Sequence, residues 1–181
     1  MSKPITIFLS LLAALIPGLL LASGASHTGL PPQEPIKNLR ALTLEEQQIQ
    51  DLLNLYGEAM EEKSLEKAER AVSAGDFIII ESGYPNWEWE DFRDNHLLVE
   101  MEDFSDIDYQ INLITGEFQG TLGFAIYSYT ASGKFRGTPT SISGFATAIL
   151  ELSDGEWRIH HIHSSAPRQQ LEQNAYGRGE Q

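Results

Sequence analysis

The stretch Asp154-Gly155-Glu156-Trp157-Arg158-Ile159-His160-His161-Ile162-His163-Ser164-Ser165-Ala166-Pro167 decides how this chain is read. Asp154-Gly155 is a hairpin dipeptide, and the run from Trp157 to Ser165 carries the β-branched and aromatic residues of a strand. Side chains alternate along a strand. One face is therefore expected to carry Trp157, Ile159, His161, His163 and Ser165, and the other Arg158, His160, Ile162 and Ser164. Three of the five histidines fall within four residues of this strand.

Working back, three more strands are expected at Tyr109–Phe118, Leu122–Ala131 and Thr138–Leu152, with breaks at Gly120, Ser132-Gly133 and Asp154-Gly155. They are long and alternating, which suits antiparallel pairing. Ahead of them lie helices. Thr43 and Glu46 form a capping box, and Leu44, Ile49, Leu52, Leu53, Tyr56 and Met60 recur at helical spacing as far as about Glu62. Ser64 to Ser73 repeats the pattern, with Leu65, Ala68 and Ala71 inward and Gly75 as the stop. Phe77–Glu81 reads as a short buried strand ended by Ser82-Gly83. After a loop with Trp87 and Trp89, Glu90–Phe104 fits a third helix with Phe92, His96, Leu97 and Met101 on one side. Helices followed by a meander make an α+β fold, a curved antiparallel sheet packed on three N-terminal helices.

The N-terminus has the layout of a secretory leader: a basic start at Lys3, an apolar run from Ile5 to Leu21, and small residues up to Ala25. Cleavage is expected after Ala25, which implies a periplasmic or secreted protein, with an uncleaved N-terminal anchor as the competing reading. Residues 26–42, with Pro31, Pro32 and Pro35, read as a linker, 43–167 as the single domain, and 168–181 as a disordered polar tail. The formal charge of −14 excludes a general affinity for nucleic acid or anionic lipid. With no cysteine in the chain, disulfides, thiolate metal sites and thiol nucleophiles are excluded too.

Three helices, a short strand and a meander closing on Gly155-x-Trp157-x-Ile159 and His161-x-His163 resemble the nuclear transport factor two fold, also called the ketosteroid isomerase or SnoaL-like fold. Asp154–Trp157 and His161–Pro167 are similar to the end of the association domain of calcium/calmodulin-dependent kinases and to bacterial SnoaL-like proteins related to it. Glu90–Glu100 resembles the third segment of those bacterial proteins. The resemblance spans Leu44 to Pro167. It implies a cone-shaped sheet enclosing an apolar pocket, and dimers or larger rings built through the outer face of the sheet. It implies no single chemistry, because this fold hosts isomerases, dehydratases, binding modules and assembly domains. The association domain also carries two pocket arginines, where this chain has Ser164 and Ala148, so recognition of an acidic ligand is not carried over.

Candidate pocket residues are Tyr56, Glu81, Trp89, His96, Glu100, Phe124, His161 and His163. Of these, Tyr56, Glu81, His96 and His161 are the candidates for acid–base work, since such chemistry needs a group of displaced pKa in an apolar cavity and a donor for a developing oxyanion. Tyr56 sits on the first helix as the donor tyrosine of a ketosteroid isomerase would. His96 and Glu100, four apart on a helix, could join His161 and His163 in a nitrogen and oxygen metal site. The competing reading makes the histidines structural, each ring satisfied by a backbone group or by a carboxylate such as Glu81 or Glu100. Trp87 and Trp89 make either a lid over the pocket or a loop buried against it.

The expected protein is thus an exported small-molecule-binding or oligomerisation domain with an apolar pocket. The alternatives are an acid–base enzyme of isomerase or dehydratase type and a histidine/glutamate metal protein. The expected ligand is uncharged or cationic. No cofactor is expected, and the expected partner is a second copy of the chain.

Overall fold

The computed structural model describes residues 40–167, so the expected leader, nearly all of the linker and the tail lie outside the described residues. Helix α1 (Leu44–Glu61) begins at its capping box, with Glu46 N–H donating to Thr43 Oγ1 at 3.2 Å and Thr43 N–H to Glu46 Oε2 at 3.0 Å. Arg40 Nη1 reaches the same carboxylate at 2.7 Å. Its hydrogen bonds, with that of Thr43, hold the Glu46 pKa down at about 2. Helix α2 (Leu65–Ala71) stops at Val72 rather than at Gly75, because Val72 turns extended to form a parallel bridge with Ile159. The third helix is one rod in three parts: α3 (Trp89–Phe92), a π turn (Arg93–Leu97) and α4 (Leu98–Asp103). Among the described residues no helix is long and apolar enough to cross a membrane.

Six strands form one curved sheet in the order β2-β1-β6-β5-β4-β3. They are β1 (Ile78–Glu81), β2 (Tyr84–Asn86), β3 (Phe104–Gln119), β4 (Leu122–Phe135), β5 (Thr138–Ser153) and β6 (Glu156–Ser165). The meander β3 to β6 is antiparallel as expected. The sheet as a whole is mixed, since β1 lies parallel to β6 with Ile79 beside Ile162 and Glu81 beside Ser164. The whole domain separates β1 from β6 in sequence, so no hairpin forces their direction. Strand boundaries differ from expectation in several places, and β3 begins at Phe104 instead of Tyr109. Tyr84–Asn86, read as loop, pairs with β1 as a sixth strand. The β4–β5 hairpin turns at Arg136-Gly137, where both φ angles are positive (47° and 81°), and not at Ser132-Gly133. Gly133 lies within β4 because a Cβ there would sit 2.9 Å from the carbonyl of Ser105 on β3.

Helix α1 packs its apolar stripe (Ile49, Leu53, Tyr56) on the inner face of the sheet and also satisfies the free edge of β3. Gln50 Oε1 accepts from Leu113 N–H at 2.8 Å, its Nε2 donates to Ile111 O at 3.0 Å, and Glu61 accepts from Tyr109 N–H at 2.7 Å. Glu45 accepts from Phe118 N–H. An edge strand that would otherwise present unpaired groups is thereby closed by side chains. At the far end of the sheet Phe118 stacks on Trp157, with centroids 3.8 Å apart and planes 9° from parallel. Gly123 makes this possible, since a Cβ there would meet the Phe118 ring at 2.6 Å.

The two faces of β6 depart from simple alternation. Leu150 pairs with Ile159 but Ile149 pairs with His161, so His160 is an extra residue, a β-bulge. The bulge shifts the phase midway. Ile159 points inward before it, Ile162 and Ser164 point inward after it, and all three are buried. His161 and His163 are thereby turned to the outer face, beside Ile149 and Thr147.

Candidate functional site

A cavity lies between the inner face of the sheet and the helices. Tyr56 and Met60 of α1 wall one side, and Phe92, Leu97, Glu100 and Met101 of the third helix another. The sheet supplies Glu81, Tyr109, Tyr129, Ile142 and Ser164, with Ile107, Ala131, Ser132 and Thr140 toward its β3–β5 side. A water-sized sphere can place its centre in about 80 Å³ of this space, several times what one water needs. No lysine, arginine or histidine is among the lining residues.

The charged wall is built around His96, in the π turn. A π turn widens the helix by one residue, a feature frequent at functional sites. His96 Nε2 lies 3.1 Å from Glu100 Oε1, one turn on, and 3.0 Å from Glu81 Oε2 at the end of β1. On the other side of the ring, Nδ1 lies 3.1 Å from Asn86 Oδ1. The Asn86 amide is oriented by its own donor, since Nδ2–H bonds Asp91 Oδ2 at 2.9 Å, leaving the carbonyl oxygen toward the histidine. Both ring nitrogens therefore face acceptors only, and both carry protons. Burial works against this charge, but Glu100 and Glu81 outweigh it and raise the His96 pKa to about 10.

One N–H cannot serve two carboxylates equally. The Nε2 proton is directed to Glu100, and Glu81 Oε2 is left buried in ionic contact without a hydrogen bond. Burial raises the Glu100 pKa, against the stabilising pull of His96. Two carboxylates thus share one imidazolium at the wall of an apolar cavity. Facing them are tyrosines whose hydroxyls burial keeps neutral: Tyr56 and Tyr109 are pushed well above the ordinary value, and Tyr129 to about 12. Tyr56 is only 4 % exposed. Gly144 leaves room for the Tyr129 hydroxyl, which a Cβ there would approach to 2.9 Å.

The eight residues singled out from the sequence separate into groups. Tyr56, Glu81 and Glu100 line the cavity, and His96 stands behind the two carboxylates. Trp89 is neither lining nor lid. It is buried in the core, edge-on to Phe77 at 6.1 Å. Phe124 belongs to the outer face of β4, opposite Ile149. His161 and His163 are on that face too, the bulge having turned them away from the cavity, so His161 is no candidate for acid–base work inside it. His161 Nδ1–H donates to Ile78 O at 3.0 Å, and burial lowers its pKa, keeping the ring neutral. The set His96, Glu100, His161 and His163 is therefore split across the sheet and cannot hold one metal ion. Among the described residues no group of three or more histidine, aspartate or glutamate side chains is arranged to do so. Asn86, Tyr109, Tyr129 and Ser164 were not singled out as candidates. The alternation of Tyr127 and Tyr129 with polar residues was the one signal that pointed to an aromatic inner wall.

The pattern of the SnoaL-like domain matches residues 49–169. No curated protein sequence matches the chain. Among solved structures the chain is similar to a nuclear transport factor 2-like superfamily protein from Salmonella enterica serovar Typhimurium LT2, with TM-score 0.60 and 17% identity over 74% of this chain and 96% of that one. It is similar to a candidate calcium/calmodulin dependent protein kinase II association domain from Xanthomonas campestris, with TM-score 0.60 and 18% identity over 70% and 90%. A type 2 hexachlorocyclohexane dehydrochlorinase gives TM-score 0.56 and 18% identity over 66% and 83%. At these identities the likeness concerns the fold.

The raised His96 pKa has a sign that can be measured. The charged ring stabilises the fold fully below its unfolded pKa of about 6.5, and this contribution fades as pH rises toward about 10. His96→Gln is expected to cost about 3 kcal/mol near pH 6, as for one partner removed from a buried pair. Urea unfolding should show that difference shrinking steadily across the same window; a constant or growing difference would mean the ring is uncharged.

Proposed function

The chain belongs to the SnoaL-like domain family, and from that premise we propose that it takes a small, mostly apolar molecule into the cavity between sheet and helices. One observation carries this reading. A well-formed apolar hollow keeps Glu81, Glu100 and Tyr56 converging on it, and the buried Oε2 of Glu81 has no hydrogen bond from the protein. Ala131, small and at the wall, is the place to test it. A panel of neutral and cationic single-ring fragments, followed by ligand-observed NMR, should give binders that Ala131→Trp abolishes. Binders that survive this substitution sit elsewhere and defeat the reading.

The unbonded oxygen of Glu81 favours a second reading, acid–base chemistry of the isomerase or dehydratase type. Glu81 would take a proton from carbon next to a carbonyl, the C–H electron pair would become the new C=C bond as the C=O π pair moves to oxygen, and the Tyr56 hydroxyl would hydrogen-bond the resulting oxyanion. His96 does not touch the cavity and serves by fixing the charge of both carboxylates. On this reading the protein accelerates deuterium uptake from heavy water into cyclohexanone. Glu81→Gln should lose about 100-fold or more of that rate, and an unchanged rate would remove Glu81 from the role.

We further propose that residues 1–25 form a leader cleaved after Ala25, which rests on the sequence alone, and that the domain works as a homodimer or larger ring. The second proposal is supported by apolar side chains left on the outer face, Ile126 and Phe145 each 37% exposed, beside His161 and His163. Light scattering on residues 26–181 should give at least twice the monomer mass, and Phe145→Asp should return it to one. A wild-type monomer would contradict this.

A further inference from the structure

We propose that the molecule accepted by the cavity carries a positively charged nitrogen, held between the Glu81 and Glu100 carboxylates and the tyrosine rings. This rests on the cavity being a binding site, and goes on to name the chemical class of its ligand.

The charge at the site is unbalanced. Two carboxyl groups stand at the cavity wall, and a single cation, the His96 imidazolium, lies behind them. Its one available proton goes to Glu100, so Glu81 has ionic contact but no donor. With both carboxylates ionised the cluster is left one negative charge in excess, inside a hollow that no basic side chain lines. Low-dielectric walls strengthen the pull of that charge on an incoming cation and its repulsion of an anion.

The remaining walls suit the same ligand. Tyr56 stands edge-on to Tyr109 at 6.4 Å and 86°, and Tyr109 lies nearly parallel to Tyr129 at 6.2 Å and 13°. Two ring orientations at right angles make the corner of an aromatic box beside the carboxylates, and ring faces attract cations. Ser164, which lines the cavity from β6, and Ala146, its partner on β5, carry no charge, so nothing there competes with a cation or invites an acid.

The test compares choline with dimethylbutanol, its uncharged carbon isostere, by isothermal titration calorimetry on the domain. Choline should bind about tenfold or more tightly. Glu81→Gln should erase the preference while leaving affinity for the alcohol, which also shows that the variant is folded; Tyr109→Leu should weaken choline more than the alcohol. Equal affinities for the two probes in the wild type would overturn the charge inference and leave the binding reading standing. Failure of both probes, together with failure of the wider fragment panel, would overturn the binding reading and this inference with it.

Discussion

A buried imidazolium shared by two carboxylates ties the third helix to the first strand, and the shape of the hollow follows from that tie. His96 belongs to the helix, Glu81 and Asn86 to the short strands β1 and β2, and Glu100 to the next helical turn. The four residues add a polar tie between the rod, already packed on the core through Trp89, Phe92 and Leu97, and the parallel end of the sheet. Burying charges is costly unless each is paired, and here the pairing is one proton short. A chain that needed only a stable core would place apolar side chains at these positions, as it does next door with Phe92 and Leu97.

Sheet and helices divide the labour. The meander supplies a curved wall of alternating small and aromatic residues: Ala125, Tyr127 and Tyr129 on β4, and Ala146 and Ala148 on β5. Of the meander's small and aromatic side chains, Ala131, Tyr109 and Tyr129 meet the cavity directly. Helix α1 does two jobs, packing Ile49, Leu53 and Tyr56 inward and closing the edge of β3 with Glu45, Gln50 and Glu61. Because the helix is fixed at both, Tyr56 is held at the cavity by a rigid element rather than by a loop, which is what a recognition site requires.

Much of the fold was legible in the sequence, and the limits of that legibility are physical. Capping boxes, Asp154-Gly155 and period-two runs are local signals, and the elements they mark were found. The sixth strand was not, because Tyr84–Asn86 has strand character only through its partner β1. The site was half legible. Tyr56, Glu81, His96 and Glu100 stand out by residue type on elements whose faces are simple. His161, His163 and Phe124 were misplaced for two different reasons. A single bulged residue, His160, inverts the phase of β6 and carries no compositional mark, and the β4 face was ambiguous because Phe124 and Ile126 are as apolar as the inner Tyr127. The three histidines that dominate the sequence thus lie away from the cavity, and His96, the one helical histidine among the described residues, is beside it.

The central claim is that His96 carries protons on both ring nitrogens because carboxylates and an oriented amide surround it. Nitrogen NMR of the histidine side chains at pH 8 reports this directly. The account predicts two protonated nitrogens for His96 and a neutral ring for His161. A neutral His96 at that pH, with one bare nitrogen, would contradict it.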